Sequence, residues 1–393
     1  MKELSERIGS IPLTAALKVD LKAKEMQAEG KNIINFCIGE PPEPVADFVC
    51  KAAEKAAADG KMKYSNASGL TELKCAVIDL YKKRFGLEYS AMECLITTGA
   101  KYAVYAAVSS LINPGDEVLL PAPYWTSYYQ IIEMAGAVPV VIETKKEKGF
   151  KLTPDDVRSA LTDKTKAVIM NNPNNPSGAV YGKEELEALA FEFMNADLYV
   201  IADEIYDRLI YTDTDFVPMA SISKDMKQRT LTINGVSKAY AMTGMRIGWI
   251  LADERIISLA GAMISHSTGS PNTIAQLAAI EAIRNGDTYA EELCQSYKKR
   301  AELINDGLAG LKNVFFAKPE GAFYVTLCLE GKLLEKYKDG DGFAMALLEE
   351  EGVATVPCGQ FGNKNAVRIS FSVSEHDLKE GIKRIVRFVN ENE

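Results

Sequence analysis

Through the middle of the chain, short unbroken apolar runs alternate with longer helical patterns. The runs fall at 95–98, 117–120, 138–142, 167–170, 199–202, 230–233 and 247–251, each long enough for a strand. Between them, 100–111, 153–161 and 183–194 carry apolar positions at helical spacing. A strand that is apolar on both faces needs cover on both, and strand–helix alternation supplies it. The stretch 47–284 is therefore predicted to be one large α/β domain on a mainly parallel sheet. Beyond it the pattern changes. A long helical stretch at 289–311 precedes apolar runs at 322–327, 353–356 and 367–371, with helices predicted at 343–351 and 375–389. These predict a smaller α+β domain over 285–393. Residues 1–46 carry too little apolar surface to fold alone and are expected to pack on it.

Composition mostly excludes. A chain of 393 residues suits two or three domains. Its 47% hydrophobic and 25% charged residues are ordinary for a globular protein, which removes disordered and fibrous classes. The net charge of −9 argues against a nucleic-acid partner and an anionic membrane. The seven cysteines are odd in number and include no C-x-x-C, so a reducing compartment is expected rather than a disulfide framework. Two histidines cannot build a three-histidine zinc site, and neither H-E-x-x-H nor G-x-S-x-G occurs. The charged N-terminal residues lack the apolar core of a signal peptide. No run approaches the roughly 18 apolar residues of a membrane span. The expected location is the cytoplasm.

In open α/β sheets, ligands sit beyond the carboxyl ends of the strands. Gly99, Ala100 and Lys101 follow the first run and open a helix, whose free amides suit an anion or an ordinary turn. After 167–170 comes Asn171-Asn172-Pro173-Asn174-Asn175-Pro176-Ser177-Gly178, a rigid loop with more side-chain amides than a turn needs. After 199–202 come Asp203 and Tyr206; an acid there serves as a helix cap or meets a buried cation. After 230–233, Ser237 and Lys238 sit among small and apolar residues, with Arg246 eight positions on. A buried lysine amine loses its charge readily and forms Schiff bases, and an arginine fork grips phosphate. Each feature alone has an ordinary structural reading. Together they offer one ligand a phosphate cradle, an acid, an amide-rich loop and a lysine.

These motifs, with Ile38-Gly39-Glu40-Pro41, Pro123-Tyr124-Trp125 and Val367-Arg368-Ile369-Ser370, resemble the class I pyridoxal-phosphate aminotransferases over nearly the whole chain. The resemblance is greatest to the bacterial aspartate aminotransferase subgroup. It implies the fold type I architecture, a homodimer with shared active sites, and pyridoxal 5'-phosphate as cofactor. It implies that Lys238 holds the cofactor as a Schiff base, Asp203 pairs with the pyridine nitrogen, and Tyr206 and Asn175 bond the ring hydroxyl. Trp125 would stack on the ring. Ser237, Arg246 and the backbone from Gly99 to Lys101 would bind the phosphate, with Tyr64 reaching the phosphate of the other subunit. Arg368 would clamp the substrate α-carboxylate, assisted by Asn175 and the Gly39 backbone. The implied reaction is ping-pong transfer between an amino acid, aspartate first, and a 2-oxo acid, 2-oxoglutarate first.

The chain departs from the subgroup in places. Pro42-Glu43-Pro44 replaces an Asp-Phe-type continuation, and Met245 replaces a tryptophan. Leu13-Thr14-Ala15-Ala16 lacks part of a hydroxyl-rich pattern that assists binding of a distal carboxylate, whereas Thr14 and Lys101 remain. Other readings keep the fold: a donor of aromatic, alanine or glutamine type, or a C–S lyase. A pyridoxal-phosphate-binding regulator would carry an added basic helix-turn-helix domain, which this acidic chain is not expected to have.

Overall fold

The computed structural model describes residues 4, 9, 11–12, 15–212 and 215–392, excepting the side chains of 15–18. Among these, seven strands form the principal sheet: β1 (Cys94–Thr97), β2 (Glu117–Ala122), β3 (Val138–Glu143), β4 (Thr165–Asn171), β5 (Tyr199–Asp203), β6 (Thr230–Gly235) and β7 (Gly248–Leu251). Their order is β1-β7-β6-β5-β4-β2-β3, with β7 antiparallel to both neighbours and the other pairings parallel. Successive side chains on a strand point to opposite faces. On one face Leu95, Ile169, Ile201 and Ile233 meet the helices Ala100–Leu111, Ser127–Met134 and Glu254–Ser267. On the other, Ile96 and Trp249 meet Thr71–Phe85 and Thr273–Asn285, while Val168 and Val200 meet Lys183–Asn195. Both faces are covered, as the unbroken runs require. No helix of the described residues is long and apolar enough to cross a membrane.

A second sheet has the order β10-β11-β9-β8, with β8 (Val314–Phe316), β9 (Tyr324–Leu329), β10 (Val356–Pro357) and β11 (Ala366–Ser370) all antiparallel. Helices Asp287–Leu308, Gly340–Glu351 and Glu375–Glu391 pack on it around Tyr297, Phe343 and Phe388. Ile34–Asn35 pairs in parallel with Val353–Ala354. Val19, Ala23 and Met26 join Cys328, Leu348 and Phe361 in one cluster, so the early residues pack beside the second sheet.

Among the boundaries that differ from expectation, three have a local reason. The run at 353–356 is not one strand: Val353–Ala354 pairs with Ile34–Asn35 and Val356–Pro357 pairs with β11. The strand expected at 322–327 begins at Tyr324, because Ala322 adopts a left-handed φ of 56°. The long helix stops at Leu308, ahead of extended Ala309 and left-handed Gly310.

Candidate active site

The carboxyl ends of β4, β5 and β6 and the helix that follows β1 open on one cavity of about 340 Å³. Gly39, Ala100, Lys101, Trp125 and Asn175 line it, as do Asp203, Tyr206, Ser237, Lys238, Arg246 and Arg368. Gly99 lies just behind the wall. It adopts φ +82°, and a Cβ there would sit 2.5 Å from Arg246 Nη2. Glycine thus lets the guanidinium approach the start of the Ala100 helix, whose first amides have no acceptor within the helix. Lys101 Nζ lies 4.9 Å from the centre of the Trp125 ring. Burial and the neighbouring Arg246 lower its pKa. Ala100, Lys101, Ser237 and Arg246 therefore make one electropositive corner.

Asp203 ends β5 at 4% exposure. Its Oδ2 accepts from Tyr128 Oη at 2.7 Å and its Oδ1 from the Ile205 amide at 3.2 Å. Burial pushes its pKa up to about 6, opposed by these two neutral donors and by Lys238. A buried carboxylate so placed lacks a close cation. Lys238 sits in the short helix Val236–Ala239 after β6. Its amine donates to the Gly39 carbonyl at 2.5 Å. Burial lowers its pKa to about 8; Glu40 and Asp203 oppose that shift, and Arg246 and Arg368 reinforce it.

The asparagine loop divides its labour. Asn171 Oδ1 accepts from the Asn175 amide, Asn172 Oδ1 from the Tyr181 amide, and Asn174 Oδ1 from the Ser177 amide. Three side chains close the turn, and the fourth, Asn175, accepts from Arg368 Nη1 at 3.3 Å. Arg368 on β11 is 5% exposed, donates from Nη2 to the Cys37 carbonyl at 2.8 Å and lies 4.5 Å from the Tyr324 ring. Its Nε is buried with no hydrogen-bond partner among the described residues. A guanidinium on a cavity wall, held by neutral acceptors only, fits a carboxylate. Tyr206 is buried, its hydroxyl 3.2 Å from that of Tyr324.

Sequence reasoning missed Tyr128 and Tyr324 as wall residues. A buried tyrosine needs a partner for its hydroxyl, and that was the available signal. Tyr64 is the predicted residue that this chain does not bring to the cavity. It is 96% exposed and lines a separate surface hollow with Met62 and Pro271. Thr14 lies outside the described residues. A further cavity of about 660 Å³ adjoins the site through Lys101 and Arg246 and runs along Tyr102, Tyr105 and Ile131.

The arrangement fits a flat, phosphorylated, cationic ring: an electropositive corner, a lone buried carboxylate, an aromatic wall and a lysine amine. The sequence model of the aminotransferase class I and II family matches residues 31–385. An aspartate aminotransferase of Bacillus sp. strain YM-2 is 39% identical over 99% of this chain and 100% of its own length. An asparagine–oxo-acid transaminase of Streptococcus mutans is 37% identical over 99% of this chain and 100% of its own. The structure of Thermus thermophilus aspartate aminotransferase with maleate superposes with a TM-score of 0.92 at 37% identity, covering 98% of this chain and 100% of that one. With family match, full-length relatives and fold in agreement, the chain belongs to the class I and II aminotransferases and has their fold type I architecture.

Proposed function

We propose that this aminotransferase uses pyridoxal 5'-phosphate to move the amino group of aspartate to 2-oxoglutarate. The observation that carries the reading is the meeting of Asp203, Lys238 and Arg368 around one cavity. When bound, the cofactor supplies an electron-accepting pyridinium ring. Asp203 is the partner for its ring nitrogen, and in return gains the cation that it lacks. Tyr206 and Asn175 would bond the ring hydroxyl, and Trp125 would lie beside the ring. Ser237, Arg246 and the Gly99–Lys101 backbone hold the phosphate.

Arg368 and Asn175 grip the substrate α-carboxylate, with Gly39 beside them. That fixes which substituent of the α-carbon meets Lys238. A lysine near pKa 8 is close enough to neutrality to take the α-proton, and basic enough to hold it for return. The Gly39 carbonyl accepts a hydrogen bond from that amine. Lys101, partly buried beside Arg246, gives the positive edge that suits a second carboxylate. The names of the Bacillus and Streptococcus relatives support a four-carbon donor with an acidic or amide end.

In this reading 47–284 is the large domain, and 1–46 with 285–393 the small one. The working unit is a homodimer. Tyr64, exposed on its own subunit, lies against the phosphate corner of the other. All seven cysteines are free thiols, which agrees with work in the cytoplasm. Incubation with aspartate and 2-oxoglutarate is expected to yield oxaloacetate and glutamate in equal amounts. Faster turnover of asparagine, alanine or an aromatic donor would move the specificity. Pyruvate and ammonia from a β-thio amino acid, without amino transfer, would replace the reaction.

A further inference from the structure

We infer that Glu43 and Arg300 form an ionic latch that positions the catalytic cations through segment 36–44; the inference rests on the aminotransferase reading. The segment enters from the second sheet, where the Phe36 carbonyl accepts from the Ser370 amide. It then meets two of the cavity's cations, Arg368 and Lys238. The Cys37 carbonyl receives Arg368 Nη2, and the Gly39 carbonyl receives Lys238 Nζ. Two carbonyls of one strap thus orient the carboxylate clamp and the proton carrier.

Past Gly39 the strap has few ways to be held. Pro41, Pro42 and Pro44 have no amide hydrogen. Its remaining anchors are acceptors: the Glu40 carbonyl takes Ser372 Oγ, Glu40 Oε2 takes Thr243 Oγ1, Glu43 Oε1 takes Ser296 Oγ at 3.5 Å, and the Pro44 carbonyl takes Tyr289 Oη. The ion pair joins Glu43 Oε1 to Arg300 Nη2 at 2.5 Å on the helix Asp287–Leu308. The Glu43 and Arg300 side chains are 22% and 11% exposed. Glu43 Oε2 and Arg300 Nη1 are both buried without hydrogen-bond partners among the described residues, so one contact carries the pair. The proline-flanked glutamate, a departure from the aspartate subgroup, thereby acquires a role: it is a positioning residue acting through Gly39 and Cys37.

The test compares Glu43→Gln with the double variant Glu43→Met/Arg300→Met in the cofactor-loaded protein. The first leaves a buried charge unpaired, whereas the second removes both charges and spares the fold that cost. Both are expected to raise KM for aspartate about tenfold, the order of one lost charged hydrogen bond, with kcat less affected. Amide hydrogen exchange over 36–45 should quicken in both, and in the double variant exchange over 287–308 should stay at the wild-type rate. Wild-type KM and unchanged exchange in the double variant overturn the latch, as does faster exchange throughout that variant. A wild-type protein that transfers no amino group defeats the functional reading instead, and the exchange rates still judge the latch.

Discussion

At the scale of single residues, the site is a set of charges held short of their partners. Asp203 is the sharpest case. Its folded-state pKa of about 6 lies above the ordinary 3.8. Between those values the folded chain keeps a proton that the unfolded chain has released, so the cofactor-free protein loses stability as pH rises through this window. The contribution is full below pH 3.8 and gone above 6. Asp203→Asn removes the titration. The cofactor-free variant should be more stable than wild type by about 3 kcal/mol at pH 7 and level with it near pH 4. Thermal unfolding at the two pH values reads this, and a variant less stable at pH 7 contradicts it. In the loaded enzyme the same change should slow amino transfer roughly 10²–10³-fold, the order of losing one preorganised electrostatic partner. Asp203 and Lys238 were legible because a charge just past an apolar strand is costly without a purpose, and Arg246 because it follows Lys238 by eight positions with the fork that suits phosphate. Tyr128 was not, because a tyrosine in a helical pattern has the same outline as a core aromatic.

At the scale of elements, the strand ends do the positioning. Each parallel strand was visible as an unbroken apolar run, and what followed it was visible as polar. The order of the strands was not, since no local pattern says that β7 lies between β1 and β6. Nor was the division of 353–356, because both halves are equally apolar and only their partners differ. Gly99 links element to site. Its φ of +82° with ψ of 160° belongs to a region that side chains avoid, and the space for a Cβ is taken by Arg246. Gly99→Ala is expected to cost about 1–3 kcal/mol of stability. By displacing Arg246 it should also weaken phosphate-dependent cofactor retention, read by equilibrium dialysis. Unchanged retention would remove Arg246 from the phosphate corner.

At the scale of the whole molecule, one chain supplies the cavity and leaves Tyr64 far out on its surface. Tyr64→Phe should loosen the cofactor about tenfold, as one hydrogen bond to a charged group would. Mixed with Lys238→Ala under subunit exchange, it should recover more activity than the two parents sum to. In the proposed homodimer, a hybrid would pair an intact Lys238 site with an intact Tyr64 from the other chain. No recovery, with exchange verified, would place Tyr64 outside the site. The most direct measurement is a half-reaction: the loaded protein, one amino acid at a time, no oxo acid, followed by the cofactor's absorbance. Wild type should pass to the amino form of the cofactor with aspartate and release one equivalent of oxaloacetate, while Lys238→Ala should convert roughly 10⁴-fold more slowly or not at all. Conversion by the lysine-free variant at the wild-type rate, or no conversion of wild type by any amino acid, would contradict the account.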